Sequence, residues 1–157
     1  MTAPSPYRLV GVTLGEAAPR SREIENEREI ALHDLLESNS FAPVGSHAGP
    51  YTLVLGIEQN RLVFDIHLED GAPHGRVMLS LTALRRVVKD YFAVCESYFK
   101  AIPDQPSARI EALDMGRRGL HDEGARLLCE RLKDKIVLDF DTARRLFTLI
   151  CVLQMKG

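Results

Sequence analysis

The stretch Asp114 to Glu123, D-M-G-R-R-G-L-H-D-E, gathers more potential chemistry than any other part of this 157-residue chain. Gly116 and Gly119 bracket Arg117 and Arg118, and His121, Asp122 and Glu123 follow at once. Backbone freedom, fixed positive charge and titratable groups therefore meet in one short segment. Read locally, the glycines predict a loop between a short helix over Ser107 to Met115 and another over Leu120 to Lys133.

Helix, G-x-x-G with basic central residues, then helix is how KH-type RNA-binding folds offer backbone amides to a phosphate chain. Here Asp114 and Met115 precede the first glycine, and an acid at that place repels phosphate. No aromatic residue is interleaved for base stacking. The structural alternative is a C-cap glycine that ends one helix before the next begins.

Other basic residues are also paired. Arg85-Arg86, Arg117-Arg118 and Arg144-Arg145 all lie in the second half of the chain. The first and third pairs, with Lys89, fall in the opening turns of helices, where cations oppose the helix dipole. A bound anion would justify them, and so would ion pairs to an acidic helix or partner. Asp65 and His67, two apart on a strand, share a face and could form half of an acid/base site. A solvated sheet face is the simpler account of them. His33, His47 and His74 read as surface residues.

Complete motifs are missing. There is no G-x-S-x-G serine, no phosphate loop or dinucleotide fingerprint, and no His pair at metal-ligand helical spacing. No metal or cofactor is expected on this basis. Cys95, Cys129 and Cys151 are odd in number, widely spaced and set among apolar neighbours, so they read as buried core thiols in a reducing cytoplasm. No export signal is visible in the first residues.

Composition is that of a soluble globular protein, with 45% hydrophobic and 27% charged residues and a net charge of −2. That balance argues against a general polyanion binder. Residues 1–75 carry 5 Lys/Arg against 11 Asp/Glu, whereas residues 76–157 carry 15 against 11. The basic half thus offers a face for an acidic partner.

These residues need elements to hold them. Residues 1–6 read as a flexible tail and 7–157 as one globular domain. Arg8–Leu14 is a strand candidate, Pro19 closes the loop after it, and Ser21 can cap a helix to about Ser38. Ile24, Ile30, Ala31, Leu35 and Leu36 form that helix's apolar set; Glu23, Glu25, Glu27 and Glu29 form a solvated acidic face. A Ser/Pro/Gly-rich loop, Asn39 to Pro50, leads to three period-two strands. Their apolar faces are Tyr51/Leu53/Leu55/Ile57, Leu62/Phe64/Ile66/Leu68 and Val77/Leu79/Leu81. Thr82 can cap a helix to Ile102 with Leu84, Val87, Val88, Tyr91 and Cys95 on its inner face. Lys135–Leu138 is a short added strand, and Asp141 can cap a last helix. The last helix is apolar nearly all round between Leu146 and Met155, so it is either a central buried helix or half of a self-association surface. The expected fold is α+β: a small, mostly antiparallel sheet, three meander strands plus one or two more, covered by about five helices.

The strings NRLVFDI (60–66), VKDYF…CESYF (88–99), ALDMGRRGLHDEGA (112–125) and DFDTARRLFTLICVL (139–153) resemble uncharacterised protein family 0262, a group of small bacterial proteins. The resemblance covers nearly the whole chain from Arg8 onward. It implies a single-domain bacterial cytosolic protein and transfers no activity, cofactor or catalytic residue.

The favoured function is a non-catalytic cytoplasmic interaction or regulatory protein with a protein partner, self-associating through the C-terminal helix. The first alternative is an RNA- or phosphate-binding module using the Gly116–Gly119 loop with Arg85, Arg86, Lys89, Arg117, Arg118, His121, Arg144 and Arg145. The second is a small hydrolase-like enzyme using Asp65/His67 or His121. No membrane association is expected.

Overall fold

A computed structural model describes residues 5–15, 22–103 and 105–154. The elements run β1 (Leu9–Leu14), α1 (Arg22–Glu37), β2 (Phe41–Pro43), β3 (Tyr51–Glu58), β4 (Arg61–Leu68), β5 (Pro73–Ser80), α2 (Thr82–Ala101), α3 (Ser107–Leu132), β6 (Ile136–Leu138) and α4 (Phe140–Gln154). The class is α+β, as expected, with four helices among the described residues where about five were expected.

The main sheet has the order β1-β3-β4-β5. β3, β4 and β5 form the antiparallel meander, with Leu53 opposite Ile66 and Phe64 opposite Val77. Gln59 and Asn60 both take positive φ, 49° and 61°, which gives the two-residue hairpin the twist that its strands require. β1 is the added strand and pairs parallel to β3, from Leu9 beside Tyr51 to Leu14 beside Leu55. A parallel neighbour needs a crossover, which α1 begins. The period-two faces are buried as read for Tyr51, Leu53, Leu55, Leu62, Phe64 and Ile66, while Ile57 at the strand end is exposed.

The second expected strand does not join this sheet. β6 pairs antiparallel with β2, inside the segment read as a loop, so the two make a separate small sheet. Such three-residue strands carry no periodic signal of their own. His74, expected in a loop, lies on β5 with its ring 5.4 Å from that of Tyr51.

α1 buries Ala31 and Leu35, whereas Ile30 and Leu36, assigned to its inner face, are 62% and 40% exposed. Ser21 and Pro19 lie outside the described residues. Asn39, just past α1, accepts a hydrogen bond from Leu9 N–H at 2.7 Å and donates to the Leu9 and Leu35 carbonyls at 2.9 and 2.8 Å. It therefore fastens the end of α1 to β1. Thr82 is the first residue of α2 rather than its cap; its N–H donates to the Ser80 hydroxyl at 3.2 Å. Asp139, not Asp141, caps α4, accepting from Thr142 N–H at 2.8 Å.

The expected glycine loop is absent. α3 is one helix of 26 residues, with Gly116 and Gly119 inside it. Each glycine costs a helix about 1 kcal/mol, which neighbouring interactions can offset. Asp114 spans the pair, reaching Arg117 at 2.9 Å and Arg118 at 3.0 Å, i,i+3 and i,i+4. Gly116 also faces Val94 of α2 at ordinary packing distance.

α4 is the central buried helix. Leu146 through Val152 are all buried within the one chain, enclosed by α1, α3 and β3. The glycine that matters for this packing is Gly124, where a methyl group would overlap the Phe147 ring. Gly119 has nothing within 4 Å of an added methyl. Gly119→Ala is therefore expected to stabilise the protein by about 0.5–1 kcal/mol. Gly124→Ala should destabilise it by about 1–3 kcal/mol. Urea unfolding midpoints read both, and equal losses at the two positions would contradict this assignment.

Candidate functional site

Three helices turn one face each toward a common space. Glu27, Ile30, Ala31 and Asp34 on α1 are spaced i, i+3, i+4, i+7, and so are Asp141, Arg144, Arg145 and Thr148 on α4. Arg117, Arg118 and His121 on α3 complete the walls, with Tyr91 of α2 behind them. Together they enclose a cleft of about 360 Å³.

Most of its charge is internally matched. Arg117 bonds Asp114, lies 3.6 Å from Glu27 across the cleft and sits over the Tyr98 ring at 5.0 Å. Arg144 reaches Asp122 at 3.2 Å and Asp141 at 3.8 Å. Arg118 shares Asp114 with Arg117 and is 71% exposed. The Arg145 side chain makes no hydrogen bond or ion pair with any described residue. The Nε atoms of Arg117 and Arg144 are buried without a hydrogen-bond acceptor. For Arg144 this holds despite the 3.2 Å approach to Asp122, because that contact is not aligned as a hydrogen bond.

Burial sets the protonation states of the inner groups. His121 Nε2 lies 2.7 Å from the Thr148 hydroxyl, and that hydroxyl donates to the Arg144 carbonyl at 3.3 Å. The 2.7 Å contact holds the imidazole against α4, with the donor set by its tautomer. Its ring packs 5.7 Å from Tyr91 and 5.9 Å from Phe147. Burial, reinforced by the Arg144 charge, lowers the imidazole to about 4, so it is neutral at pH 7. Burial raises the Glu27 carboxyl above the usual range, opposed by Arg117. The Tyr91 phenol is pushed well up, chiefly by burial, and the Cys95 thiol beside it is raised to about 11 for the same reason. Cys95 and Cys151 are buried core thiols, while Cys129 is half-buried.

The structure brings together five of the basic and titratable residues singled out above: Arg117, Arg118, His121, Arg144 and Arg145. Arg85, Arg86 and Lys89 lie outside the cleft. Arg85 bonds the Asn60 side chain at 2.5 Å, and Arg86 pairs with Asp90 and with Glu123 of α3. Glu123 and Asp122 are thus engaged with arginines, and neither forms a hydrogen-bonded dyad with His121. Asp65 and His67 stand 4.0 Å apart on β4, away from the cleft. Gly116 and Gly119 are helical, so their amides belong to the helix ladder and form no phosphate cradle.

Glu27, Asp34, Tyr91, Asp141 and Thr148 were not anticipated as cleft residues. Glu27 in particular read as solvated, yet it faces Arg117. The one periodic signal is on α4, where Asp141, Arg144, Arg145 and Thr148 form an i, i+3, i+4, i+7 polar stripe; on α1 only Glu27 and Asp34 of the matching positions are polar. Among the described residues, the one group spaced to chelate a metal is His33, Asp34 and Glu37 on α1. His33 and Glu37 are exposed there and pair at 3.3 Å, an arrangement that surface helices adopt without an ion.

Comparison with known proteins gives one consistent result. The model of "Uncharacterised protein family (UPF0262)" matches residues 6–156. A "UPF0262 protein" of Nitrobacter winogradskyi is 57% identical over 155 residues, covering 98% of this chain and 93% of the relative. One from Azorhizobium caulinodans is 58% identical over 158 residues, covering 98% of each. One from Rhodopseudomonas palustris is 57% identical over 152 residues, covering 96% of this chain and 93% of its own. No solved structure matches.

The His121 environment has a measurable consequence. Its folded value of about 4 lies below the ordinary 6.5, so the unfolded chain binds the proton more readily between these values. Stability should fall as pH drops through that window, by up to about 3 kcal/mol. His121→Gln should flatten this part of the profile, and parallel wild-type and variant profiles in pH-dependent unfolding would exclude the effect.

Proposed function

The chain belongs to uncharacterised protein family UPF0262, and because that membership carries no activity, we propose from the site itself that it is a non-catalytic binding protein whose α1/α3/α4 cleft holds a small anionic ligand. The observation that carries this reading is a cleft of about 360 Å³ lined by four arginines, of which the Arg145 side chain has no partner among the described residues. That volume falls in the range of small-molecule sites, which run from about 300 to 1,000 Å³. A carboxylate or phosphate in the cleft would pair with Arg145 and the outward half of Arg118. Neutral His121 would add an uncharged hydrogen-bonding nitrogen, and Asp34 and Asp141 would take donors of the same ligand.

The competing readings have less support. An enzyme built on Asp65/His67 would lack a cleft, and one built on His121 would lack a paired carboxylate. An RNA module would need amides at Gly116–Gly119 that the helix already uses, and arginines that acids already hold. Self-association through α4 has lost its motive, since that helix is covered inside one chain. No helix among the described residues is long and apolar enough to cross a membrane.

Titration with inorganic phosphate and with acetate at low ionic strength tests the proposal. Each should raise the melting temperature and give a saturable binding isotherm. Arg145→Gln should weaken binding about tenfold or more, the loss expected when a charge-assisted hydrogen bond worth about 1.5–3 kcal/mol is removed. Arg85→Gln, outside the cleft, should leave it unaltered. Equal losses in both variants, or no anion binding at all, would refute the reading.

A further inference from the structure

Next to the cleft lies a second, much smaller space of about 20 Å³, lined also by Ile24, Cys95, Phe99, Cys151 and Val152. Glu27, Tyr91 and Thr148 line both spaces, so they are common walls of the polar cleft and this small space. The small space presents only apolar surface. Its volume is just enough for one water molecule, which would find no polar partners there, so the space favours an apolar group. Close-packed interiors keep few voids of this kind, because each one forfeits contacts. The neighbouring thiols do not make it polar: Cys95 and Cys151 are both held protonated by burial and behave as small apolar groups.

Resting on the anionic-ligand reading of the cleft, we infer that the ligand is an organic acid with a short aliphatic tail, its anionic head among the arginines and its terminal methyl in the small space beside Glu27, Tyr91 and Thr148. The juxtaposition favours this over a purely inorganic anion, for which the small space would have no use. A long acyl chain is disfavoured as well, since about 20 Å³ admits only a methyl-sized end. Exposed Ile30 on the cleft wall gives the middle of such a ligand an apolar surface to lie on.

Calorimetric titration of the full chain with phosphate, acetate, propionate, butyrate and hexanoate tests the inference. Affinity should rise about fourfold per methylene from acetate to butyrate and level off or fall at hexanoate. Two cavity-filling variants, Val152→Ile in the core and Ile24→Phe at the half-buried edge, should reduce the butyrate-to-acetate affinity ratio toward one. Should the core variant fail to fold, the edge variant alone gives the reading. Equal affinity for acetate and butyrate would overturn the tail assignment while leaving the anion site standing. A rise continuing through hexanoate would also overturn it, by placing the chain on open surface. If neither phosphate nor any carboxylate binds, the anion site and the tail fail together.

Discussion

α4 presents apolar side chains over most of its circumference, and that requirement determines what the rest of the chain must do. A helix of this kind is stable only when covered on every side. Here β3 takes one side, α1 a second and α3 a third. At Gly124 the α3 backbone lies so near the Phe147 ring that no side chain fits between them. Phe147 in turn stands edge-on to Tyr91 at 5.7 Å, which carries the same packing into α2. Sheet and helices therefore share one core, and α4 is its axis.

The polar cleft is a by-product of that arrangement. Toward its N-terminal end α4 carries Asp141, Arg144 and Arg145 into a space that residues of α1 and α3 also line. The arginines do not create a strongly positive surface, because Asp114, Asp122 and Glu27 answer them one by one. Individually such partly exposed pairs add little stability, about 0–1 kcal/mol each. Their larger effect is to fix where the guanidinium groups point. What is left over, Arg145 and one side of Arg118, is a small and directed excess of donors, suited to one ligand group and poorly suited to a polyanion.

Much of the fold could be read from sequence because its signals are strong and local. The alternation in Tyr51–Ile57 and Leu62–Leu68 identifies two strands and their buried face, and the apolar run from Leu146 identifies a helix that must be enclosed. Strands β2 and β6 were harder: three residues carry no period, so only Lys135–Leu138 was visible and its partner was not. The glycines show the limit most clearly. Gly116 and Gly119 look like a break because propensity disfavours glycine in helices, yet Asp114 and packing on α2 carry the helix through them. Gly124 gives no local sign of its role, which exists only against Phe147. The site divides in the same way. Arg117, Arg118, His121, Arg144 and Arg145 stand out by residue type, whereas Glu27, Tyr91 and Thr148 become cleft residues only when three helices meet.

The parallel pairing of β1 with β3 has a consequence for the order in which the molecule assembles. β3 and β4 need only a two-residue turn to find each other, but β1 must wait until all of α1 and β2 has been accommodated between it and β3. Contacts so distant in sequence carry a larger loop-closure entropy and tend to form late. Asn39 locks the end of α1 to β1, so the two should dock as one step. One wall of the cleft would then be the last part of the protein to arrive and the first to leave, and native-state amide exchange in α1 compared with α4 reads that order directly. A ligand in the cleft would act on this partial opening well before it acted on global unfolding.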